Sequence, residues 1–451
     1  MTSDRRRFLA TAAASAAAVG LPRALRADLG LRGGVARPYL DLALKTAAWI
    51  DRSGQEVGTG LQYPADPLKP DSVGLDLYNG MPGIVAFHAA LSVATNDVAW
   101  LRTAKRGADY LMERMDGGTD QIGAGLYTGL AGLGYAFRCV ESAGGGDRYG
   151  AADERATQML VRTARRVGDG VEWSDSNDII SGTAGIGLYL LAAGRQNSAL
   201  VELAARAGRR LLATGEPAEG GRMWFPAASL RRNYPNFSHG TSGVAYFLAT
   251  LHQVTGDRAF LEGALEGARY LDRVATRRDG ATTIFHQSGG GEQRFYLSWC
   301  HGPVGTARLF YRLHQITGQA VWRDWVDSLT RGVFESGAPE RRTEGYWNNI
   351  SQCCGNVGIG QYCIDLARYH RTPTAAAIQA RIVADTTRRG TNDERGLRWV
   401  QAENRTQPDN LVAQTGFMQG AAGVGTFFLQ LDALERGAPW LFPLPDTPFA
   451  G

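Results

Sequence analysis

The sequence predicts an all-α fold, with seven amphipathic helices in an outer ring around seven apolar helices in an inner ring. Three observations lead there. A Gly-x-x-Gly pattern followed by an apolar stretch occurs seven times, opening at Gly80, Gly129, Gly182, Gly240, Gly302, Gly355 and Gly420. The spacings run from 49 to 65 residues, as in a stacked or closed array of supersecondary units. Between copies lie charged segments with apolar residues at helical spacing. A helix apolar on most sides must be covered by neighbours, and two concentric rings cover all seven.

The elements follow in order. Residues 37–51 put Leu40, Leu44, Ala47 and Ala48 on one helical face, and Gly80-Met81-Pro82-Gly83 opens the first apolar helix. Residues 97–115 form the next charged helix, with Trp100, Ala104, Ala108, Leu111 and Met112 on one side. Further charged helices are expected over 152–167, 199–213, 258–275, 321–334 and 375–389, each before the next glycine pair. The stretches 282–285 and 398–400 read as short β pieces within loops. The tail from Gly437 holds four prolines and is expected to be extended. The glycines let inner helices crowd together. They also leave first-turn amides open toward the centre, favourable to negative charge.

Residues 1–27 read as a twin-arginine export signal. Arg5-Arg6-Arg7-Phe8-Leu9 precedes an alanine-rich run, and Ala24-Leu25-Arg26-Ala27 offers a small residue at a cleavage point. The run is too short for a permanent membrane anchor. Residues 28–451 then form one domain, in a periplasmic or extracellular setting. The whole chain carries a formal charge of +4, and residues 1–27 hold that excess. The remainder is balanced, which argues against nucleic acid or an acidic membrane as partner. Five cysteines do not make a full disulfide framework.

The candidate chemistry lies just before the glycines. Two positions ahead of each stand Tyr78, Tyr127, Ile180, Ser238, Cys300, Cys353 and Met418; one position ahead stand Asn79, Thr128, Ser181, His239, His301, Cys354 and Gln419. In a closed ring these residues converge. Cys300, Cys353 and Cys354 would then offer three thiolates to one metal ion, with a fourth position open for catalysis. Ligand softness favours zinc. The competing reading is three buried apolar cysteines, a common fate of free thiols. Cys139 and Cys363 fall on inner helices and read as core.

Ser238-His239-Gly240, Ser298-Trp299-Cys300-His301-Gly302 and Cys353-Cys354-Gly355, set on seven Gly-x-x-Gly repeats, resemble the lanthionine synthetase C-like family. The resemblance covers nearly all of the chain after residue 27. It implies an α/α toroid with a central zinc ion. It also implies addition of a peptide cysteine thiol to dehydroalanine or dehydrobutyrine, giving a thioether ring. By the same resemblance Cys300 and Cys353 are zinc ligands. Cys354 stands where most relatives have histidine, a three-cysteine variant. His239 matches the acid/base histidine, against the plainer reading of a satisfied core histidine. Asp178 either orients His239 or a substrate amide, or caps the helix opening at Gly182. His301 lines the pocket or serves as a spare ligand, with Tyr296 and Trp299 beside it. Tyr296 replaces an arginine of the family, and Arg294 is off register.

The implied partners are a dehydrated peptide or a small thiol, with a separate dehydratase, and the protein is expected to be a monomer. An alternative is an exported zinc-containing toroid that binds thiols or peptides without cyclising them. A glycosidase needs carboxylates paired across its pocket, and the residues preceding the glycines supply none. The metalloprotease pattern His-Glu-x-x-His and the phosphate-loop pattern are absent from the sequence.

Overall fold

The structure is a computed structural model that describes residues 36–118, 122–341 and 345–449. The expected export signal lies outside the described residues. Among those residues fourteen helices alternate between two rings. The outer helices are α1 (Pro38–Asp51), α3 (Val98–Asp116), α5 (Asp147–Thr163), α7 (Ser198–Thr214), α9 (Arg258–Val274), α11 (Ala320–Glu335) and α13 (Pro373–Arg389). The inner helices are α2 (Met81–Thr95), α4 (Leu130–Ser142), α6 (Thr183–Ala193), α8 (Thr241–Thr255), α10 (Pro303–Thr317), α12 (Asn356–Tyr369) and α14 (Ala421–Glu435).

Each inner helix packs on the next, α2 on α4 and onward to α14, and α14 packs back on α2. Each inner helix also packs on the outer helix that follows it, while α14 packs on α1, so the two ends of the chain close the ring. The fold is an α/α toroid. Burial follows the hydropathy pattern. All residues of α2 from Met81 to Ser92 are inaccessible, whereas α9 buries only one face, with Phe260, Ala264, Ala268 and Leu271.

Polar residues start several outer helices. The side chains of Asp97, Asn197, Asp257 and Thr372 accept from backbone amides in the first turns of α3, α7, α9 and α13. The fifth element differs from its expected span: α5 starts at Asp147 and stops at Thr163. Residues 165–167 leave the helix to pair with 170–172 as an antiparallel hairpin. Similar hairpins follow α1, α7, α9 and α13, as β1–β2 (Gln55–Val57, Gly60–Gln62), β5–β6 (Glu216–Ala218, Gly221–Met223), β7–β8 (Thr276–Arg278, Ala281–Thr283) and β11–β12 (Thr391–Asp393, Gly396–Arg398).

Of the two jobs expected of the glycine pairs, close packing is present and open amides are not: a Cβ on Gly83 would stand 2.4 Å from Phe417 Cβ of the neighbouring repeat. The first amides of six inner helices are not open, and α10 begins with Pro303, which has none. Thr241 N donates to Tyr234 O at 3.2 Å and Ser242 N to Pro235 O at 3.0 Å, and α2, α4, α6, α12 and α14 are capped the same way by the preceding loop. In those six helices the first amide is therefore not free to favour an anion. The glycines admit this capping loop. A Cβ on Gly240 would stand 1.5 Å from Tyr234 O, and one on Gly305 would stand 1.9 Å from Trp299 O. Backbone cannot yield to that overlap, so only glycine fits.

The tail from Gly437 is non-helical, as expected, and it lies inside the inner ring. Tyr135 of α4 donates to Phe442 O at 2.7 Å, Arg368 of α12 to Ala438 O at 2.7 Å, and Gln430 of α14 to Leu441 O at 2.8 Å. Phe449 packs on Tyr311 with ring centres 4.4 Å apart. Asp446 is wholly buried and accepts from Tyr127 Oη at 3.1 Å and Trp299 Nε1 at 2.9 Å. Its carboxylate also pairs with Arg308 of α10 at 3.1 Å.

Candidate metal centre

The positions two residues before the glycines form a belt of backbone hydrogen bonds. Tyr78 N donates to Tyr127 O, Tyr127 N to Ile180 O, Ser238 N to Cys300 O, Cys300 N to Cys353 O, Cys353 N to Met418 O and Met418 N to Tyr78 O. The seventh link comes from the neighbouring residue, Ile179 N to Ser238 O at 3.1 Å. The belt makes Cys300 and Cys353 direct neighbours, 53 positions apart in sequence, with an N–O distance of 3.1 Å.

Three sulfurs meet there. Cys300 Sγ and Cys353 Sγ each lie 3.4 Å from Cys354 Sγ, and all three atoms fall within 4.8 Å of one another. All are buried, and none is in a disulfide. The turn carrying the adjacent pair is shaped locally. Asn349 Oδ1 takes Ser351 N and Oγ at 2.9 and 2.7 Å, and Ser351 Oγ accepts from Cys354 N at 3.1 Å. Two thiolates bound tetrahedrally to one zinc ion stand about 3.8 Å apart, so the sulfur set suits such an ion after small adjustment. Hydrogen bonds from Cys300 and Cys353 hold the Cys354 thiol well below its ordinary range, while burial raises the other two. Tyr78 Oη donates to Cys353 Sγ at 3.0 Å and accepts from Gln419 Nε2 at 2.9 Å.

His239 stands beside the sulfurs with its side chain 37 % exposed, unlike a core histidine. Its Nδ1 lies 2.5 Å from Asp178 Oδ2. Asp178 Oδ1 accepts from Ser181 N at 2.8 Å and Gly182 N at 2.9 Å. One carboxylate thus ties down the start of α6 and holds an imidazole from the next repeat. Burial opposes the charged form of His239, but the Asp178 carboxylate outweighs it and raises the pKa above its usual value. His301 is buried with no partner on Nδ1 among the described residues, its ring centre 5.5 Å from His239. Burial, then the neighbouring His286 and His239, keep it well below the usual range and neutral.

Tyr296 stacks on His286 at 4.3 Å and meets His301 edge-on at 5.7 Å. It belongs to β9 (Phe295–Tyr296), which pairs in parallel with β10 (Tyr346–Trp347). Trp299 departs from its expected place in the pocket. It is 1 % exposed, packs on Tyr127 and Phe237, and gives its indole N–H to Asp446 in the tail. Its side chain belongs to the core on the far side of the belt. Cys139 and Cys363 are buried on α4 and α12.

Four further residues join the site. Tyr78 and Gln419 occupy the repeat positions ahead of Gly80 and Gly420, so the alignment of repeats already marked them. Tyr234 packs against His239, His286 and His301. His286 sits in a loop with no repeat signal, and burial and the nearby Arg294 and Arg405 push its pKa down to about 4.

Three comparisons bear on this arrangement. No curated protein sequence matches the chain. Among solved structures, nisin cyclase superposes with a TM-score of 0.63 at 14 % identity, covering 88 % of this chain and 94 % of its own. An α-1,6-mannanase of Salegentibacter sp. HEL1_6 reaches 0.49 at 13 % identity over 88 % of this chain and 99 % of its own. An unsaturated glucuronyl hydrolase specific for heparin reaches 0.47 at 11 % identity, over 89 % and 97 %. The profile of the lanthionine synthetase C-like proteins matches residues 71–444, the stretch that holds all seven glycine pairs and the three-sulfur cluster, and the chain belongs to that family.

Proposed function

We propose that the protein is a zinc-dependent cyclase. It would add a peptide cysteine thiol to dehydroalanine or dehydrobutyrine and so form a thioether ring. The observation that carries this reading is the adjacency of the sulfur cluster and the His239–Asp178 pair. Cys300, Cys353 and Cys354 would hold the ion. Bound zinc would supply a Lewis acid that keeps a substrate thiol in its nucleophilic thiolate form.

The remaining chemistry is proton handling. The attacking sulfur bonds to the β-carbon, the double-bond electrons shift toward the carbonyl, and a proton must reach the α-carbon. His239 is suited to deliver it. Asp178 occupies Nδ1, fixes the ring, and favours its protonated form, which leaves Nε2 to exchange a proton. Tyr234 and His301 set their ring faces beside His239, and Tyr296 meets His301 edge-on.

The dehydrated peptide would come from a separate dehydratase. The basic, alanine-rich residues 1–27 support export by the twin-arginine route. A second reading, a zinc-containing protein that binds thiols or peptides without cyclising them, is favoured by Tyr296, which stands where relatives have arginine.

The test uses purified zinc-loaded protein and a dehydrated, cysteine-containing peptide. Ring closure leaves mass unchanged but removes the free thiol, so the product resists N-ethylmaleimide. Cys300→Ala should lose the metal. His239→Ala should keep about one zinc per chain and lose activity by roughly 10²–10⁴-fold. A metal-loaded wild type that leaves every dehydrated peptide open to N-ethylmaleimide would rule out the cyclase and favour the binding reading.

A further inference from the structure

Arg405 is a cation that sequence reasoning left unused. It lies in the loop between β13 (Gln401–Ala402) and β14 (Leu411–Val412). That loop is fastened to the cysteine turn. Asn349 Nδ2 donates to Ala402 O at 3.1 Å, Ile350 N donates to Gln401 Oε1 at 2.7 Å, and Gln401 Nε2 donates to Gln419 O at 2.8 Å. Asn349 also shapes the Cys353-Cys354 turn, and Gln419 bonds Tyr78, which bonds Cys353. The loop tip has its own brace, since Asn404 Oδ1 accepts from Thr406 N, Thr406 Oγ1 and Gln407 N. The backbone that carries Arg405 is therefore tied to the turn that carries the sulfurs.

Its guanidinium has a donor to spare. Arg405 Nη1 is buried and has no hydrogen-bond partner among the described residues. A buried donor on a charged group is costly to leave unmade. Two more orphans lie nearby, His286 Nδ1 and His301 Nδ1. The charge of Arg405 acts on both His286 and Tyr296, so the guanidinium stands on the same side of the pocket as that stacked pair. His286 and His301 meet with ring centres 4.4 Å apart, His301 follows Cys300 directly in sequence, and His239 lies beyond His301 at 5.5 Å. Unpaired polar atoms gathered around one pocket are what a polar ligand would satisfy.

We infer that Arg405 binds the oxygen of the electrophile's carbonyl group, the atom on which negative charge grows as sulfur adds. This rests on the thiol-addition reading. The balance is simple. The C–S bond forms at the β-carbon, the π pair moves to the enolate oxygen, and Arg405 donates hydrogen bonds to that oxygen without giving up a proton. His239 protonates the α-carbon as the carbonyl re-forms. The substrate class follows: a double bond conjugated to a carbonyl, with its oxygen lying on the Arg405 side and its α-carbon on the His239 side. In this chain the cation comes from the seventh repeat, in place of the position that Tyr296 occupies.

The test compares wild type, Arg405→Gln and Arg405→Lys, each with zinc content and far-UV circular dichroism verified. With a dehydrated peptide, Arg405→Gln should lower kcat by about 10²–10³-fold, the effect of losing one oxyanion donor, with KM little changed. Arg405→Lys should recover part of the loss. Calorimetry with N-acetyldehydroalanine, whose carboxylate sets an anionic oxygen beside the double bond, should show at least tenfold weaker binding to Arg405→Gln. A variant with wild-type kcat, or with equal affinity for that ligand, overturns the assignment while the cyclase reading stands. A wild type inert toward all dehydrated peptides removes the cyclase reading instead, and the calorimetric comparison still decides whether Arg405 holds an anionic oxygen.

Discussion

Replacing Asp446 by alanine should unfasten the tail from the back of the metal centre. Asp446 is 0 % exposed and Arg308 is 4 % exposed, so their 3.1 Å ion pair is cut off from water. Breaking such a pair from one side leaves a buried cation, a loss of about 3–5 kcal/mol. The alanine also orphans Trp299 Nε1 and Tyr127 Oη, each worth about 1–3 kcal/mol when left unpaired. One term acts the other way. Asp365 is buried beside Arg308, and burial raises its pKa to about 7; the Asp446 carboxylate adds to that rise. With Asp446 gone, Asp365 ionises more readily and becomes a replacement counter-charge. Summed, the losses start at about 5 kcal/mol, and the replacement charge should hold the net near that low end. Urea unfolding followed by circular dichroism measures it, with zinc content as a second readout because Trp299 adjoins Cys300. Arg308→Met combined with Asp446→Asn removes both charges and should recover most of the loss. A single variant within about 1 kcal/mol of wild type would refute the idea that the tail braces the ring.

Two other perturbations test individual carboxylates. In Asp365→Asn the carboxamide keeps the acceptor for Gln361 Nε2 and cannot ionise. The folded protein holds a proton on Asp365 up to about pH 7, whereas the unfolded chain releases it near pH 4. Stability from this group is therefore full below the unfolded value and falls as pH rises to the folded one. The variant should exceed wild type at pH 8 by a few kcal/mol, on the order of 4, and show little difference at pH 4; equal pH dependence would contradict this. Asp178→Asn keeps an oxygen for the Ser181 and Gly182 amides but removes the charge facing His239. Wild-type turnover should fall as pH rises through a His239 pKa that lies above its ordinary value. In the variant that fall should move to lower pH, and an unmoved pH–kcat profile would mean that His239 is not the titrating acid.

The rings were legible because their physical cause is repeated. Each inner helix starts where a loop carbonyl crosses its first turn, so each demands glycine at the same two places, as at Gly240 and Gly305. That periodicity fixed helix count, ring order and the position of the three cysteines. Pointing direction was less legible. Trp299 precedes a site residue by one position, and the near-extended belt sends its side chain to the opposite face, onto Asp446. His286 was invisible for another reason: it rides on a loop outside the repeat, and only the folded path of that loop brings it against His301. The tail was legible as non-helical from its prolines, but nothing local in it announces that Asp446 meets Arg308 inside the ring.

The belt also bears on what metal binding must do here. In a small metal-dependent domain the ion's binding energy is consumed in ordering the chain. In this protein Cys300 and Cys353 are already held together by their own backbones, through Cys300 N to Cys353 O and Cys353 N to Met418 O. The third sulfur comes from the adjacent residue, on a turn braced by Asn349 and Ser351. The ordering cost is thus met by the fourteen-helix frame rather than by the ion, and the sulfurs can be packed at near-ligand spacing independently of it. A preorganised triad of cysteine sulfurs would lose little freedom on taking up a cation, so more of the binding energy would remain as affinity. The same frame fixes His239 through Asp178 and, through Asn349 and Gln401, the loop of Arg405. The three sulfurs and the His239–Asp178 pair therefore hold their mutual positions through the frame itself, the condition under which an electrostatic site acts at little reorganisation cost.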